Sequence, residues 1–221
     1  MLALPEYSLS SLDVIHCMEA LDFLRGLPDG SVDSVISDPP YGANVADWDK
    51  DIPPQEILTE CLRVSSGPVI WFGAADPLFM QKVFQYTPIL ERTLIWHVTF
   101  SLTSVNRKSI LYKWHPIYCW NLPSSQNTIS RDVLSYPTSS RINGVNHPAK
   151  KPIELMTKLV SAFGGDLICD PFIGSGTTAV AARNLGRHYI GCDISPEYVE
   201  IARKRLALPY TLPMFATAGG V

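Results

Sequence analysis

Apolar residues recur along this chain in two rhythms, and each change of rhythm marks a change of element. Ile15, Met18, Leu21 and Leu24 fall at helical spacing within 13–27, and Leu27-Pro28-Asp29-Gly30 closes that segment in a turn. Ser31 to Ile36 reads as a short strand. Ile57, Leu58, Cys61 and Leu62 predict a helix from Gln55 to Val64, and the unbroken run Val69-Ile70-Trp71-Phe72 predicts a buried strand. Pro77 to Phe84 reads as a helix, Thr93 to Phe100 and Ile117 to Trp120 as strands. Between Asn121 and His147 large apolar residues are few among Pro, Ser, Asn, Thr and Gly, which predicts a long loop.

The last third is more regular. Pro152 can open a helix in which Ile153, Met156, Leu159, Val160 and Phe163 share a face, and Gly164-Gly165 can end it. Asp166 to Cys169 reads as a strand, Thr177 to Leu185 as a helix, and His188 to Cys192 as a second strand. Ser195-Pro196 starts a final helix carrying Tyr198, Ile201, Ala202 and Leu206. Strand, helix, strand and helix with short joins make an α/β unit with parallel strands. The tail after Leu208 is expected to be extended or frayed.

Composition narrows the class. With 221 residues, 46% hydrophobic and 18% charged, the chain can bury the core of one domain and is not disordered. No apolar run approaches the roughly 18 residues of a membrane span. Met1 to Ala20 holds no Lys or Arg, so no charged leader is expected. The cysteines Cys17, Cys61, Cys119, Cys169 and Cys192 are odd in number and scattered, which argues against disulfides and zinc and for a cytosolic, reduced protein. No metal site is expected.

Charge is segregated. From Ser104 to Lys151 seven basic residues face one acid, Asp132, a net +6 that leaves −9 for the rest of a chain whose total is −3. Trp114, His115, Tyr118 and Trp120 are interleaved with this segment. A solvated basic loop is the plainer reading. The scarcity of acids favours a polyanion partner, with Arg107, Lys108, Lys113, Arg131 and Arg141 as contacts to nucleic acid.

Two motifs carry chemistry. The run Asp170-Pro171-Phe172-Ile173-Gly174-Ser175-Gly176-Thr177-Thr178 joins a strand to a helix, where glycines let a ligand approach the backbone. Asp193, ending the next strand, is placed to accept from two ribose hydroxyls. A carboxylate at the mouth of the loop, Asp170, would repel a pyrophosphate and attract a sulfonium. No P-loop lysine is present. S-adenosylmethionine therefore fits better than NAD or ATP.

The second motif is Asp38-Pro39-Pro40-Tyr41-Gly42, which follows the Val32–Ile36 strand. Two prolines remove two N–H donors. What faces outward is acceptor only: the Asp38 carboxylate and the Pro39 carbonyl, with Tyr41 as a flat face. Two fixed acceptors can hold both hydrogens of an exocyclic base amine and direct its lone pair toward an electrophile, which is positioning rather than covalent catalysis.

Together these motifs, with His147-Pro148-Ala149-Lys150-Lys151-Pro152 between them, resemble the DNA amino-methyltransferases of the β arrangement, in which the catalytic motif precedes the cofactor motif. The similarity spans about Ser11 to Leu206. It implies a Rossmann-like methyltransferase fold with a mixed, mostly parallel sheet, helices on both faces and a circularly permuted motif order. It implies one domain over 1–221 with a small basic recognition region at about 100–146. Asp38, Pro39, Pro40 and Tyr41 become the catalytic residues. Lys151 and Pro152 resemble the segment that closes over the methionine end of the cofactor. The cofactor set adds Asp170, Pro171, Phe172, Gly174, Ser175, Gly176, Thr177 and Asp193. Ser195 stands where many relatives carry a second acid.

The expected reaction is methylation of adenine N6 in double-stranded DNA, after the base leaves the stack. The alternative is cytosine N4, which the same turn can hold; an RNA methyltransferase or a non-catalytic DNA-binding module is less favoured. A NAD dehydrogenase would have no use for Asp38-Pro39-Pro40-Tyr41. The recognition region is short beside those of relatives that read long sites, so recognition is short or relaxed, or draws on a second subunit in a homodimer. The family resemblance implies a prokaryotic or phage-encoded protein.

Overall fold

The computed structural model describes residues 12–42, 53–86, 88–99, 113–123, 129–138 and 151–209. In chain order its elements are β1 (Val14–Cys17), α1 (Ala20–Gly26), β2 (Ser34–Ser37), α2 (Gln55–Val64), β3 (Val69–Phe72), α3 (Pro77–Phe84), β4 (Arg92–Val98), β5 (Trp114–Trp120), β6 (Val133–Tyr136), α4 (Ile153–Phe163), β7 (Leu167–Asp170), α5 (Thr177–Asn184), β8 (His188–Asp193) and α6 (Pro196–Ala207). The strands form one eight-stranded sheet in the order β1-β8-β7-β2-β3-β5-β4-β6. All neighbours are parallel except β5, which runs against β3 and β4.

The continuous apolar runs follow from burial on both faces of the sheet, since successive strand residues point to opposite sides. Ile36, Ile70, Phe72, Ile117, Cys119 and Ile168 join one core with Leu155, Met156 and Leu159 of α4, Ala179 of α5 and Val199 of α6. Their chain neighbours Val35, Val69, Trp71, Tyr118, Trp120 and Cys169 join the other, with Phe23 of α1, Leu58 and Cys61 of α2 and Phe79 of α3. Two helix ends are met by side chains. Asp76 caps α3, accepting from the N–H groups of Leu78 (3.0 Å) and Phe79 (3.1 Å). Arg63 of α2 donates to the Leu24 (2.8 Å) and Leu27 (2.9 Å) carbonyls at the end of α1.

Two elements differ from the sequence reading. The segment 13–27 is a strand followed by a helix: β1 pairs in parallel with β8, Val14 opposite Ile190 through Cys17 opposite Asp193. Asp13 starts that pairing with its side chain, accepting from Tyr189 N (3.2 Å). The partner lies some 175 residues away, so helical spacing was the only local signal. The expected loop 121–147 contains β6, parallel to β4 from Ile95–Val133 to Val98–Tyr136. As an edge strand it buries only Leu134 (7% exposed), and Trp96 Nε1 donates to the Tyr136 carbonyl (3.0 Å). Pro152 is the N-cap of α4 rather than its first residue.

The strand order reverses between β7 and β2, which is where open α/β sheets form a crevice beyond their carboxyl ends. Val35 lies opposite Cys169 in that pair, so the turns following β2 and β7 emerge side by side. Beside them, Asp170 of β7 lies opposite Gly191 of β8. A Cβ on Gly191 would come within 2.5 Å of the Asp170 carbonyl and 2.7 Å of Ile173 Cδ1. Gly191→Ala is therefore expected to lower stability by about 1–3 kcal/mol through overpacking, read by thermal denaturation; unchanged melting would show that the two strand ends can spread.

Candidate active site

A cavity of about 290 Å³ opens at that crevice. Asp38, Pro39, Pro40 and Tyr41 line it from the β2 side, and Asp170, Pro171, Phe172, Gly174, Ser175 and Thr177 from the β7 side. Asp193 and Lys151 line it as well. Residues far apart in sequence thus share one space. Pro152 and Gly176 are not among the lining residues. Gly176 instead works behind the wall: its φ is 81° and a Cβ there would stand 2.8 Å from Ala202 Cβ, so it lets α6 close against the loop.

Each acid has its own environment. The Ser37 hydroxyl donates to Asp170 Oδ1 (2.5 Å) and ties β2 to β7. Phe172 N–H donates to the same oxygen (3.1 Å). Burial pushes the Asp170 carboxyl up to about 6, against the pull of hydrogen bonds from Ser37, Thr178 and Phe172; the nearby Asp38 charge adds to the rise. Asp193 accepts from Gly174 N–H at Oδ2 (3.0 Å) and from Ser195 N–H at Oδ1 (2.8 Å). These bonds fix its plane and leave each oxygen a further lone pair for a ligand hydroxyl. Burial raises its pKa and the two N–H groups oppose that.

Asp38 is held on both sides. Tyr41 donates its hydroxyl to Asp38 Oδ1, and the Lys151 ammonium donates to Oδ2. Lys151 is 7% exposed, and its Nζ lies 5.3, 5.1 and 6.0 Å from the ring centroids of Tyr41, Phe72 and Trp96. His115 stacks on Trp96 with centroids 5.0 Å apart. Burial first, and then the Lys151 charge, lower the His115 pKa. The Tyr41 hydroxyl therefore does more than the stacking the sequence suggested.

Several cavity residues were not among the candidate site residues. Glu19, Ala20, Met156, Thr178, Ile194 and Tyr198 also line the cavity. Glu19 and Ala20 follow β1, which helical spacing concealed, while Ile194 adjoins Asp193. Arg205, in the last turn of α6, donates to the Ser175 carbonyl, Ser175 Oγ (3.1 Å) and Thr177 Oγ1 (3.3 Å). It pins the glycine loop from behind, and only the packing of α6 reveals it.

Of the expected nucleic-acid contacts, Lys113 and Arg131 are among the described residues. Lys113 is exposed just before β5, and Arg131 is exposed beside a second cavity with Arg92 and Asp132. Arg107, Lys108 and Arg141 lie outside the described residues. Among the described residues no cluster of His, Cys, Asp or Glu could hold a metal ion, and no helix is long and apolar enough to cross a membrane. The cysteines among them are free, with Cys17 exposed and the others buried.

Four carboxylates, Glu19, Asp38, Asp170 and Asp193, line the cavity against one ammonium that Asp38 already engages. That balance suits a cationic ligand with ribose hydroxyls and disfavours a polyphosphate.

Comparison with known proteins agrees with this chemistry. The family model described as DNA methylase matches residues 79–204, more than half of the chain. The Asp38 turn lies ahead of that span. The type II methyltransferase M2.DpnII of Streptococcus pneumoniae is 25% identical over 91% of this chain and 92% of its own length. The DNA adenine methyltransferase YhdJ of Escherichia coli K12 is 26% identical, covering 87% and 82%. Among solved structures, the complex of M1.HpyAVI with SAM superposes with a TM-score of 0.64 at 22% identity, covering 86% of this chain and 98% of that one. The cytosine-N4-specific PvuII DNA methyltransferase gives 0.69 at 18%, covering 91% and 88%. At those identities the structures speak for the fold, a Rossmann-like methyltransferase sheet.

Proposed function

This chain belongs to the DNA methylase family, the S-adenosylmethionine-dependent enzymes that methylate N6 or N4 base amines, and on that premise we propose that it methylates the 6-amino group of adenine in double-stranded DNA. The observation that carries the reading is the opening of the Asp38-Pro39-Pro40-Tyr41 turn onto the same cavity as the glycine loop and Asp193.

The residues divide the work. Asp193 is suited to the two ribose hydroxyls, and Phe172 and Ile194 offer apolar contact to an adenine ring. Asp170, ionised above about pH 6, favours the positive charge of the cofactor. When bound, S-adenosylmethionine supplies a methyl carbon activated by a sulfonium. Tyr41 gives a face for the flipped base to stack on. Asp38 and the Pro39 carbonyl accept the two N–H bonds of its amine, so that the nitrogen lone pair is aimed at the methyl carbon. Preorganised acceptors of this kind stabilise positive charge that builds on the nitrogen.

Adenine is favoured over cytosine by family resemblance alone, through Asp rather than Ser at position 38 and the likeness to the DNA adenine methyltransferase YhdJ over 87% of the chain. Cytosine N4 is the second reading, supported by the fold likeness to the PvuII enzyme. Incubating the purified protein with plasmid DNA and S-adenosylmethionine, followed by modified-base mass spectrometry and sequencing, tests both. N6-methyladenine at a defined site is expected; N4-methylcytosine would overturn the base assignment, and no modified base would overturn the function.

We read residues 1–221 as one domain whose basic segment, about 100–146, meets DNA, with a homodimer as the means of enlarging a short recognition surface. Reversing Arg107 and Lys108 to Glu is expected to weaken DNA binding and flatten its salt dependence while cofactor affinity stays unchanged. Fluorescence anisotropy across a salt series measures it, and an unaltered slope would take the DNA surface elsewhere.

A further inference from the structure

We propose that Lys151 acts with Asp38 as a paired donor and acceptor that reads the amidine edge of the target base, the amine together with the ring nitrogen beside it. This goes beyond a cofactor-closing role for Lys151 and rests on the active-site reading above.

The position of the ammonium is what requires explanation. Lys151 is 7% exposed, and among the described residues its hydrogen-bond acceptor is Asp38 Oδ2. A buried ammonium is costly to desolvate, and one carboxylate with three aromatic faces is the compensation here. One of those faces belongs to Tyr41, the ring on which the base would stack, so the ammonium is within reach of the edge of a base placed there. An ammonium has three N–H donors. One meets Asp38, and the others remain for a ligand. The cleft therefore presents a carboxylate acceptor and a cationic donor side by side, both in the wall reached by the flipped base.

That order of groups has one complement. Adenine offers an amine donor at C6 beside the acceptor N1, and cytosine offers the same pair at C4 and N3. Guanine and thymine offer a carbonyl beside an N–H, the reverse order. Their carbonyl would face the Asp38 carboxylate and their N–H the ammonium, leaving both charged groups of the pair unsatisfied or repelled. Lys151 is thus a positioning residue that admits adenine or cytosine, whose amine adjoins an unprotonated ring nitrogen on the pairing edge, and sets that amine against Asp38. A lysine that served only to brace the turn would be indifferent to the ring nitrogen.

The test uses the full chain, labelled S-adenosylmethionine and a duplex carrying the methylated site once that site is mapped. Single-turnover transfer is compared for adenine and for 1-deazaadenine at the target, where a C–H replaces N1. Wild-type protein is expected to be slowed at least tenfold by 1-deazaadenine. Lys151→Met is expected to be slowed about tenfold on adenine at saturating S-adenosylmethionine and to lose most of the difference between the two bases. Lys151→Arg keeps a donor and should keep the difference. An equal 1-deazaadenine penalty in wild type and Lys151→Met would overturn the proposal. So would wild-type transfer to 1-deazaadenine at the rate for adenine, a result that needs no variant to fold. Failure of the functional reading is visible earlier, as wild-type protein that methylates no base and takes this proposal with it. If the methyl appears on cytosine, 3-deazacytosine replaces 1-deazaadenine and the same two outcomes decide.

Discussion

Asp38→Ala is expected to lower single-turnover methyl transfer at least about a hundredfold, the scale of losing one preorganised acceptor. Cofactor binding should largely persist, because the cofactor residues lie mainly between Asp170 and Asp193. Sequence reasoning alone would leave folding untouched as well, and the structure changes that expectation. Removing the carboxylate strands the Lys151 ammonium, 7% exposed, among three aromatic rings. Breaking one side of a fully buried pair costs about 3–5 kcal/mol; Asp38 is itself 25% exposed, so a value nearer the lower end is expected. Asp38→Asn keeps an acceptor for Lys151 and should lie between wild type and alanine in both melting and rate. The double variant Asp38→Ala/Lys151→Met should recover melting temperature without recovering transfer. Tyr41→Phe removes the hydroxyl that holds Asp38 Oδ1 and should cost severalfold in rate, while Tyr41→Ala also removes the stacking face and should be severe. Near wild-type turnover for Asp38→Ala would remove the active site from this turn.

Asp170→Asn is expected to separate stability from function. The Asp170 carboxyl has a pKa of about 6 in the folded protein against 3.8 for the free group, because burial disfavours its charge. Between those values the folded state binds the proton and the unfolded state does not. Stability from this group is complete below about pH 4 and is lost as pH rises through about 6, by about 3 kcal/mol. At pH 8 the ionised Asp170 is a standing cost, so Asp170→Asn should melt higher than wild type there, and the gap should narrow toward pH 5. Asparagine can still accept from Ser37 and Phe172, so the turn should survive. S-adenosylmethionine affinity should move the other way, falling at least about tenfold at pH 8 with the loss of a buried negative charge beside a cation. Wild-type affinity should also decline as pH drops below about 6, while that of the variant stays flat. Calorimetric titrations at pH 5, 6, 7 and 8 with matched melting curves measure both. Equal affinities and parallel pH profiles would show that the cofactor does not depend on the Asp170 charge. Such a trade of stability for a charged site is common where function needs a buried ionised group.

The sequence by itself determined the elements whose signal is local and the two turns that carry chemistry. Helices α2 and α3 and strand β3 lie where periodicity puts them, because apolar spacing and an N-terminal Asp-Pro act within one element. The Asp38-Pro39-Pro40-Tyr41 turn and the Asp170–Thr178 loop were legible because prolines, glycines and lone carboxylates restrict what a backbone can present. Tertiary structure decided everything that depends on a distant partner. β1 exists because β8 accepts it, and β6 because β4 does, so neither has a pattern of its own strong enough to read. The parallel pairing of β2 with β7 brings Ser37 to Asp170 across 133 residues and makes two separate motifs one cavity. Lys151 was legible as a cation near the cofactor motif. That its charge would be buried on Asp38, under the rings of Tyr41, Phe72 and Trp96, depends on strand order and burial. Electrostatic pairing is set by distance and local dielectric, and neither is written in the spacing of residues along a chain.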